Sequence, residues 1–501
     1  ADAAVGRMFA VLGLGEAVAR LIGFAGTVYV ARTLGVESYG IIAVAAAIVL
    51  YFAQIANYSV EMLGAREIAK ALGETGADDL TSEQSGRRSA SMEARWRVAR
   101  AAVHRIVPPL LAARLLVASG CIALLVTCGM LGMGTPEGSV LAIGAFTLLA
   151  VASSTRFTFV GLEQPITPAV ASVTGELLSL GIVLLFVHNA SDVRTVPISR
   201  IVGEVGTSVL MLLVLRRMGV SLSLARGAEA RTRAMNEVVK PVFSAATPLV
   251  IHAMLGLAIF NSDLIFLRAM RDARTAGMYA AAYTLISFLL NLGVTYGSSI
   301  LPALSRAHDD APKQQSIYDQ AMLQMLTVAI PVAVGGALLA GGLLDLVFGS
   351  RYVDAVRPLQ ILMWSIVVAW VRNVVQIGLI ARDQQAFILR TTIWSAAVNT
   401  VFNLLLIPSF GMIGAAAATL ITESIRTLVA LWYAERLELP FGVWRQLWQP
   451  TLGATCMGAT VWFVPFPHVV VAVAAGAAVY GIVLLATGGI RVVNGSVRFG
   501  T

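Results

Sequence analysis

The chain is written in long apolar blocks separated by short polar breaks. Blocks of spanning length run over about 8–30, 39–63, 107–131, 139–161, 166–188 and 195–215. Six more run over about 241–267, 277–302, 322–344, 356–380, 386–407 and 411–433, and a last pair over about 450–466 and 468–487. A helix needs about 20 apolar residues to cross a bilayer core, so the pattern predicts an all-α polytopic membrane protein with about 14 transmembrane helices. The segments of about 10 alternating residues that mark a membrane β-barrel do not occur.

Composition agrees. Of 501 residues, 57% are hydrophobic and only 13% charged, too little charge to coat a soluble particle of this size, where about 25% is usual. Dominant apolar runs and 3 Cys exclude disorder and a disulfide scaffold. Cys121, Cys128 and Cys456 lie inside apolar runs without metal-ligand spacing, so they are expected to pack, with no metal and no cofactor. The net charge of +8 comes from 33 Arg and 3 Lys. In a soluble protein that balance suggests nucleic acid; in this one it points to loops facing anionic lipid. With the N-terminus inside, 22 cations fall in cytoplasmic segments and 7 outside, which predicts that both termini are cytoplasmic. The block near Met8 carries Glu16 and Arg20 and no cleavage site follows it, so it is expected to be the first span and not a signal peptide. The cluster Arg268, Arg271 and Arg274 breaks the charge rule.

The order of the blocks suggests an organisation. Residues 1–215 form a six-span lobe with a cytoplasmic loop at 64–106, whose polar part (77–91) is expected to be mobile. A basic linker follows at 216–240, a second six-span lobe at 241–433, and an amphipathic segment with two extra spans at 434–501. Ser38-Tyr39-Gly40 after the first span matches Thr275-Ala276-Gly277-Met278-Tyr279 after the seventh, and Gly161-Leu162-Glu163-Gln164-Pro165 matches Ala381-Arg382-Asp383-Gln384-Gln385. Six spans separate the copies, an even number, so the two lobes are expected to be parallel, pseudo-symmetric repeats facing a central cavity.

Thirteen charged residues fall within predicted spans. Near the bilayer midplane each costs about 2.5–3.5 kcal/mol if it faces lipid, so most must face protein or water. Gly13, Glu16, Arg20, Gly23 and Thr27 form one small-or-polar stripe at helical spacing. Further stripes are Gln54/Asn57/Glu61, Arg200/Glu204/Thr207, Ser287/Asn291/Thr295/Ser299 and Ser395/Asn399/Asn403; so many suggest a shared polar cavity. Two readings stand for Glu16–Arg20, Arg200–Glu204 and Glu423–Arg426: a cavity wall, or pairs three or four residues apart that neutralise themselves and only pack. Arg114, Arg372 and Arg390 lie within reach of span ends, where long side chains snorkel. Arg156 has no acid at helical spacing in its own span and is the best single candidate for an anionic ligand. Glu16, Glu61, Asp263 and Glu423 are candidates for coupling or ion pairing; Asp263 serves equally to fix the 268–274 loop.

Ala31-Arg32-Thr33-Leu34-Gly35-Val36-Glu37-Ser38-Tyr39-Gly40 resembles the A-R-x-L-G-x-x-x-Y-G stretch of O-antigen-type polysaccharide flippases, in the multidrug/oligosaccharidyl-lipid/polysaccharide exporter superfamily. Asn261-Ser262-Asp263 with Ala276–Tyr283 resembles the start of their second lobe. Asn399…Asn403…Ile407-Pro408…Gly411…Gly414-Ala415 resembles their N-x-x-x-N-x-x-x-I-P-x-x-G-x-x-G-A signature. The likeness covers about residues 8–433. It implies a V-shaped, alternating-access transporter that moves an undecaprenyl-diphosphate-linked oligosaccharide from the inner to the outer leaflet of a bacterial inner membrane. As a class property it implies a cationic cavity, assigned to Arg20, Arg156, Arg200 and Arg372. Its partners would be membrane lipid and the polysaccharide polymerase and chain-length machinery, with no nucleic acid. Fourteen spans also occur in the related lipid II flippases, whose D-A-F segment is replaced here by Ile42-Ala43-Val44-Ala45.

The residue chemistry suits that cargo. Arginine presents bidentate donors to phosphate oxygens and stays protonated, and no glycine loop with lysine indicates ATP use. The alternatives are a cation-coupled multidrug exporter, which favours acids over bases, or a lipid II flippase. A membrane glycosyltransferase or ligase needs a larger outside loop than this chain offers, and a non-transporting envelope scaffold does not need the polar stripes. The chain is therefore expected to be a transporter and not an enzyme.

Overall fold

A computed structural model describes residues 2–74, 88–132, 135–220, 227–307, 310–493 and 496–499. The chain order is α1 (Asp2–Leu34), α2 (Val36–Asn57), α3 (Val60–Glu74), α4 (Arg88–Leu131), α5 (Pro136–Ala145), α6 (Thr147–Ser153), α7 (Arg156–Gly161), α8 (Ile166–Phe186), α9 (Thr195–Arg217) and α10 (Ala228–Ala234). Then come α11 (Lys240–Met270), α12 (Ala273–Arg306), α13 (Ala311–Leu338), α14 (Ala340–Phe348), α15 (Val356–Ala381), α16 (Gln385–Arg436), α17 (Trp448–Phe463) and α18 (Val469–Ala486). A small antiparallel hairpin, β1 (Ile490–Val493) with β2 (Ser496–Phe499), is the one departure from an all-helical chain among the described residues.

Twelve helical segments among the described residues are long and apolar enough to cross a membrane. The expected fourteen blocks map onto them with two differences. Blocks 386–407 and 411–433 lie in the single 52-residue α16, and α17 has only 16 residues. At 1.5 Å per residue α16 would be about 78 Å long if straight, far more than a bilayer core of about 30 Å. It is a hairpin instead. Phe387 stacks on Tyr433 with ring centroids 3.7 Å apart, Arg426 donates to Thr392, and Asn403 and Thr419 meet on one carboxylate. Those pairs are centred on residues 409–411, where Pro408 removes a helical donor and Gly411 takes φ 56°, ψ −131°, a conformation open to glycine. Just beyond, a Cβ on Gly414 would stand 2.3 Å from the Leu406 carbonyl oxygen. Gly414→Val is therefore expected to lower the thermal midpoint by an amount equivalent to about 1–3 kcal/mol of overpacking. Gly120→Val, where no atom lies within 4 Å, should leave it unchanged; equal melting of the two variants would show that the arms do not close this tightly.

Segment 64–106, expected as a loop, is helical wherever described, because α3 and α4 extend past the apolar blocks. Residues 75–87, the centre of the stretch expected to be mobile, lie outside the described residues. In the basic linker, α10 and a π-turn (Met235–Val239) lead without a break into α11.

The chain divides into two compact units, Ala1–Met254 and Leu255–Thr501. In the first, α1 packs on α8 and α8 on α9. Gly175 and Gly203 let α8 and α9 approach so closely that a Cβ on either would meet the other's carbonyl oxygen at 2.6 Å, the small-residue contact by which membrane helices associate. A core under α3, α4, α7 and α9 contains Ile68, Leu110, Phe157 and Leu215. In the second unit α15 packs against α12, α13 and α16, and the α17–α18 pair lies on α13. The two turns picked out as a repeat close alike: Gln164 N–H donates to Phe159 O and Gln384 N–H to Leu379 O, with Glu163 and Asp383 at φ 56° and 58°.

Candidate functional site

The first unit carries a ladder of charges along α1, α8 and α9. Arg156, at the start of α7, donates from Nη2 to Glu16 Oε2 at 3.2 Å, and Arg20 donates from Nε to Glu16 Oε1 at 3.3 Å. About 10 Å further along α1, seven residues at 1.5 Å each, Gly23 faces the Glu176 carboxylate of α8. There Arg200 of α9 donates from Nη1 to both Glu176 oxygens, at 2.9 and 3.2 Å. Glu204 is half-buried and within electrostatic reach of Arg200, Glu176, Glu61 and Glu16. The ladder is open: the side chains of Arg20 and Arg200 are 47% and 52% exposed. Glu16–Arg20 thus forms as its spacing predicts, whereas Arg200 turns from Glu204 to another helix, and Arg156 finds in Glu16 the acid its own span lacks. The only sequence trace of the Arg200–Glu176 rung is the glycine at position 23, which leaves room for it.

Arg114 does not snorkel. It is fully buried and donates to Ser154 O at 2.8 Å, Val151 O at 2.6 Å and Asn57 Oδ1 at 2.9 Å. The fourth span breaks at Ser154 and Thr155, between α6 and α7; Ser154 O, past the end of α6, is supplied by the guanidinium, which Val151 O accepts in addition to the Ser154 N–H. The second span breaks too: Tyr58 and Ser59 take φ 49° and 53°, with the Tyr58 ring stacked on Phe243. Glu61 opens α3 just past this break and is half-buried.

The second unit contrasts with this: the charges around Glu423, and Asp263, are sealed. Glu423 has no exposed surface and holds two arginines, Arg372 Nε at 2.8 Å and Arg426 Nη1 at 3.4 Å. Arg372 also donates to Gln376 at 2.7 Å, and Arg426 to Thr392 at 2.8 Å. The side chain of Arg372 is only 12% exposed; it ties α15 to the second arm of α16, and Arg426 joins that arm to the first through Thr392. Asp263 of α11 is likewise fully buried and accepts three hydrogen bonds of 2.6 Å, from Tyr279 OH, Asn403 Nδ2 and Thr419 Oγ1. The Ser395/Asn399/Asn403 stripe is buried around this carboxylate and does not line an open surface. The Arg268–Arg274 anomaly also has a cause: Arg271 donates to the Ile407 and Pro408 carbonyls at the α16 bend. An exposed polar stripe persists on α12, where Asn291, Thr295 and Ser299 each bond to their own helix backbone. Arg390 is exposed. Among the described residues no group of three His, Cys, Asp or Glu side chains is placed to hold a metal ion.

With this geometry in place, the comparisons with known proteins fall into line. The family model for polysaccharide biosynthesis proteins matches residues 5–308, and that for the lipid II flippase MurJ matches residues 162–484. The chain belongs to the polysaccharide biosynthesis protein family, whose model covers more than half of it. Among curated relatives, it is 26% identical over 159 residues to the probable low-salt glycan biosynthesis flippase Agl15 of Haloferax volcanii, covering 31% of this chain and 34% of that one. It is 28% identical over 174 residues to the probable flippase AglR of the same organism, covering 34% and 36%; the matches thus span about a third of these relatives. The fold is similar to that of a solved lipid II flippase MurJ, a structure described as inward-closed (TM-score 0.70, 13% identity, 95% of this chain and 98% of that one). It also resembles an inward-facing multidrug-resistance MATE family transporter (TM-score 0.63, 14% identity, 84% and 94%).

Proposed function

We propose that this member of the polysaccharide biosynthesis protein family moves an undecaprenyl-diphosphate-linked oligosaccharide from the inner to the outer leaflet of a bacterial inner membrane by alternating access. The reading rests on the open charge ladder of the first unit. Arg20 and Arg200 are about half exposed within apolar spans, and a guanidinium so placed needs water or an anion, because hydrocarbon is too costly a neighbour. Arg156–Glu16–Arg20 and Arg200–Glu176 then form two successive rungs. A diphosphate exchanges with Glu16 at the first and Glu176 at the second, trading one carboxylate for another anion at little net cost, while the polyprenyl tail stays in lipid. Arg372, sealed against Glu423, serves the fold in this scheme and not the cargo.

Cycling of the cavity needs a second equilibrium to bias it. Asp263 suits that role better than Glu423, because its three donors are neutral and no arginine balances it; a proton or a small cation at this carboxylate would couple transport to an ion gradient. The chain acts as a transporter and not as an enzyme, has fourteen crossings with both termini cytoplasmic, and works beside polymerase and chain-length proteins.

The deciding measurement is translocation of a lipid-linked oligosaccharide in proteoliposomes. Arg20→Ala with Arg156→Ala is expected to reduce flipping at least tenfold while the thermal midpoint shifts little, since pairs this exposed contribute about 0–1 kcal/mol each. Full flipping by the double variant would reject the ladder. The acids of the same ladder favour one other reading, a cation-coupled multidrug exporter. In that case Glu16→Gln and Glu176→Gln abolish resistance to toxic cations, and oligosaccharide flipping is absent in the unaltered protein.

A further inference from the structure

A cavity lies in the first unit, away from the ladder. It has a volume of about 1200 Å³ and opens between the outer stretch of α4 and the α10–π-turn segment of the linker. Drug-sized ligands occupy about 300–1,000 Å³, so there is room for a larger amphiphile. The charged lining is net positive, three arginines against the acids Glu229 and Glu237; Arg105 of α4 and Arg231 of α10 are exposed. Arg233 lines it too but is engaged by Glu237 at 3.2 Å. The floor is apolar, formed by Pro108, Pro109 and Ala112, and it ends at Leu116. Leu116 is 75% exposed within the apolar run of α4, the surface expected of a side chain that meets acyl chains. From Arg105 to Leu116 is eleven residues, about 16 Å along a helix, so the groove runs from a charged rim well into the apolar layer. Proline shapes it: Pro109 has no N–H, so the Arg105 carbonyl lacks the donor that a continuous helix would give it.

We propose that this groove binds an anionic glycerophospholipid of the surrounding bilayer. Its phosphate sits between Arg105 and Arg231, a headgroup hydroxyl donates to the Arg105 carbonyl, and one acyl chain lies along Pro109, Ala112 and Leu116. Charge and polarity match at both ends of the ligand, as in other basic pockets at membrane surfaces. A lipid seated there would join α4 to the linker that leads into α11. The inference does not depend on which cargo the protein moves.

The test is lipid retention by the purified full chain, read by native mass spectrometry in detergent after titration with phosphatidylglycerol or phosphatidylcholine. The unaltered protein is expected to keep one phosphatidylglycerol with at least fivefold preference over phosphatidylcholine. Arg105→Gln with Arg231→Gln should bring the preference below twofold, and Leu116→Trp should reduce retention of both lipids by filling the chain track. Unchanged thermal midpoints in lipid-free detergent confirm that each variant is folded; if the double variant melts early, Arg231→Gln alone, on the exposed α10, takes its place. Equal retention of the two lipids by the unaltered protein, or undiminished preference in the arginine variants, would overturn the proposal. So would full displacement of the lipid by millimolar inorganic phosphate, because the site would then recognise phosphate alone.

Discussion

Glu423→Leu is expected to cost about 3–5 kcal/mol of stability, the loss that follows when a buried ion pair is broken by removing one partner. Glu423 is the single carboxylate between Arg372 and Arg426, and it has no exposed surface. Without it two guanidinium groups face each other across α15 and α16 in a dry interior. Glu423→Gln keeps the hydrogen-bond acceptor but not the charge, and should fall between leucine and the unaltered protein. Replacing all three residues by methionine should recover most of the loss, because the cost lies in unbalanced charge more than in lost contact. Thermal unfolding in detergent is the readout. Glu176→Gln, which breaks the half-exposed pair to Arg200, should shift the midpoint by no more than about 1 kcal/mol equivalent. Similar losses for Glu423→Leu and Glu176→Gln would contradict the division into a sealed and an open cluster.

The second large effect is expected at Arg114. Arg114→Leu leaves the Ser154 carbonyl and the Asn57 side-chain oxygen without the guanidinium donor, each buried acceptor costing about 1–3 kcal/mol, and leaves Val151 O with the Ser154 N–H alone. The break between α6 and α7 depends on that donor, so the variant should unfold early and lose transport with it. Arg114→Lys restores the charge and not the fork that reaches two helices at once, and should recover only part of the loss. Arg390→Leu is the control: the side chain is exposed, and its removal should change the midpoint by less than about 0.5 kcal/mol equivalent. If Arg114→Leu melts with Arg390→Leu, the guanidinium is not a clamp.

Much of this was legible in the chain. Apolar blocks located the spans because a bilayer leaves backbone groups no partner outside the helix, and the break between blocks 386–407 and 411–433 falls at the α16 bend. Glu16–Arg20 and Glu423–Arg426 could be read from spacing, since neighbours three or four residues apart share a helix face. Other assignments failed where two helices had to be known together. Arg114 lies seven residues from the start of its apolar block and so reads as a snorkelling side chain, yet it serves carbonyls near residue 154. The Asn399/Asn403 stripe reads as a cavity wall but closes around Asp263. The Arg268–Arg274 cluster breaks the charge rule because Arg271 is held by the backbone of the α16 bend.

By itself, then, the sequence determined that the protein lives in a membrane, where its helices run, and that its spans carry more charge than lipid tolerates. Hydrophobicity and helical periodicity are properties of one segment at a time, and one segment suffices to read them. Whether a given charge is open or sealed was decided only by tertiary structure. Arg20, Arg200, Arg372 and Arg426 look alike along the chain, and they separate into a half-exposed ladder and a buried cluster only when neighbouring helices bring Glu176 or Glu423 to within 2.9 Å or less of a guanidinium. A charge's environment is set by what packs across from it, and that neighbour lies up to 156 residues away.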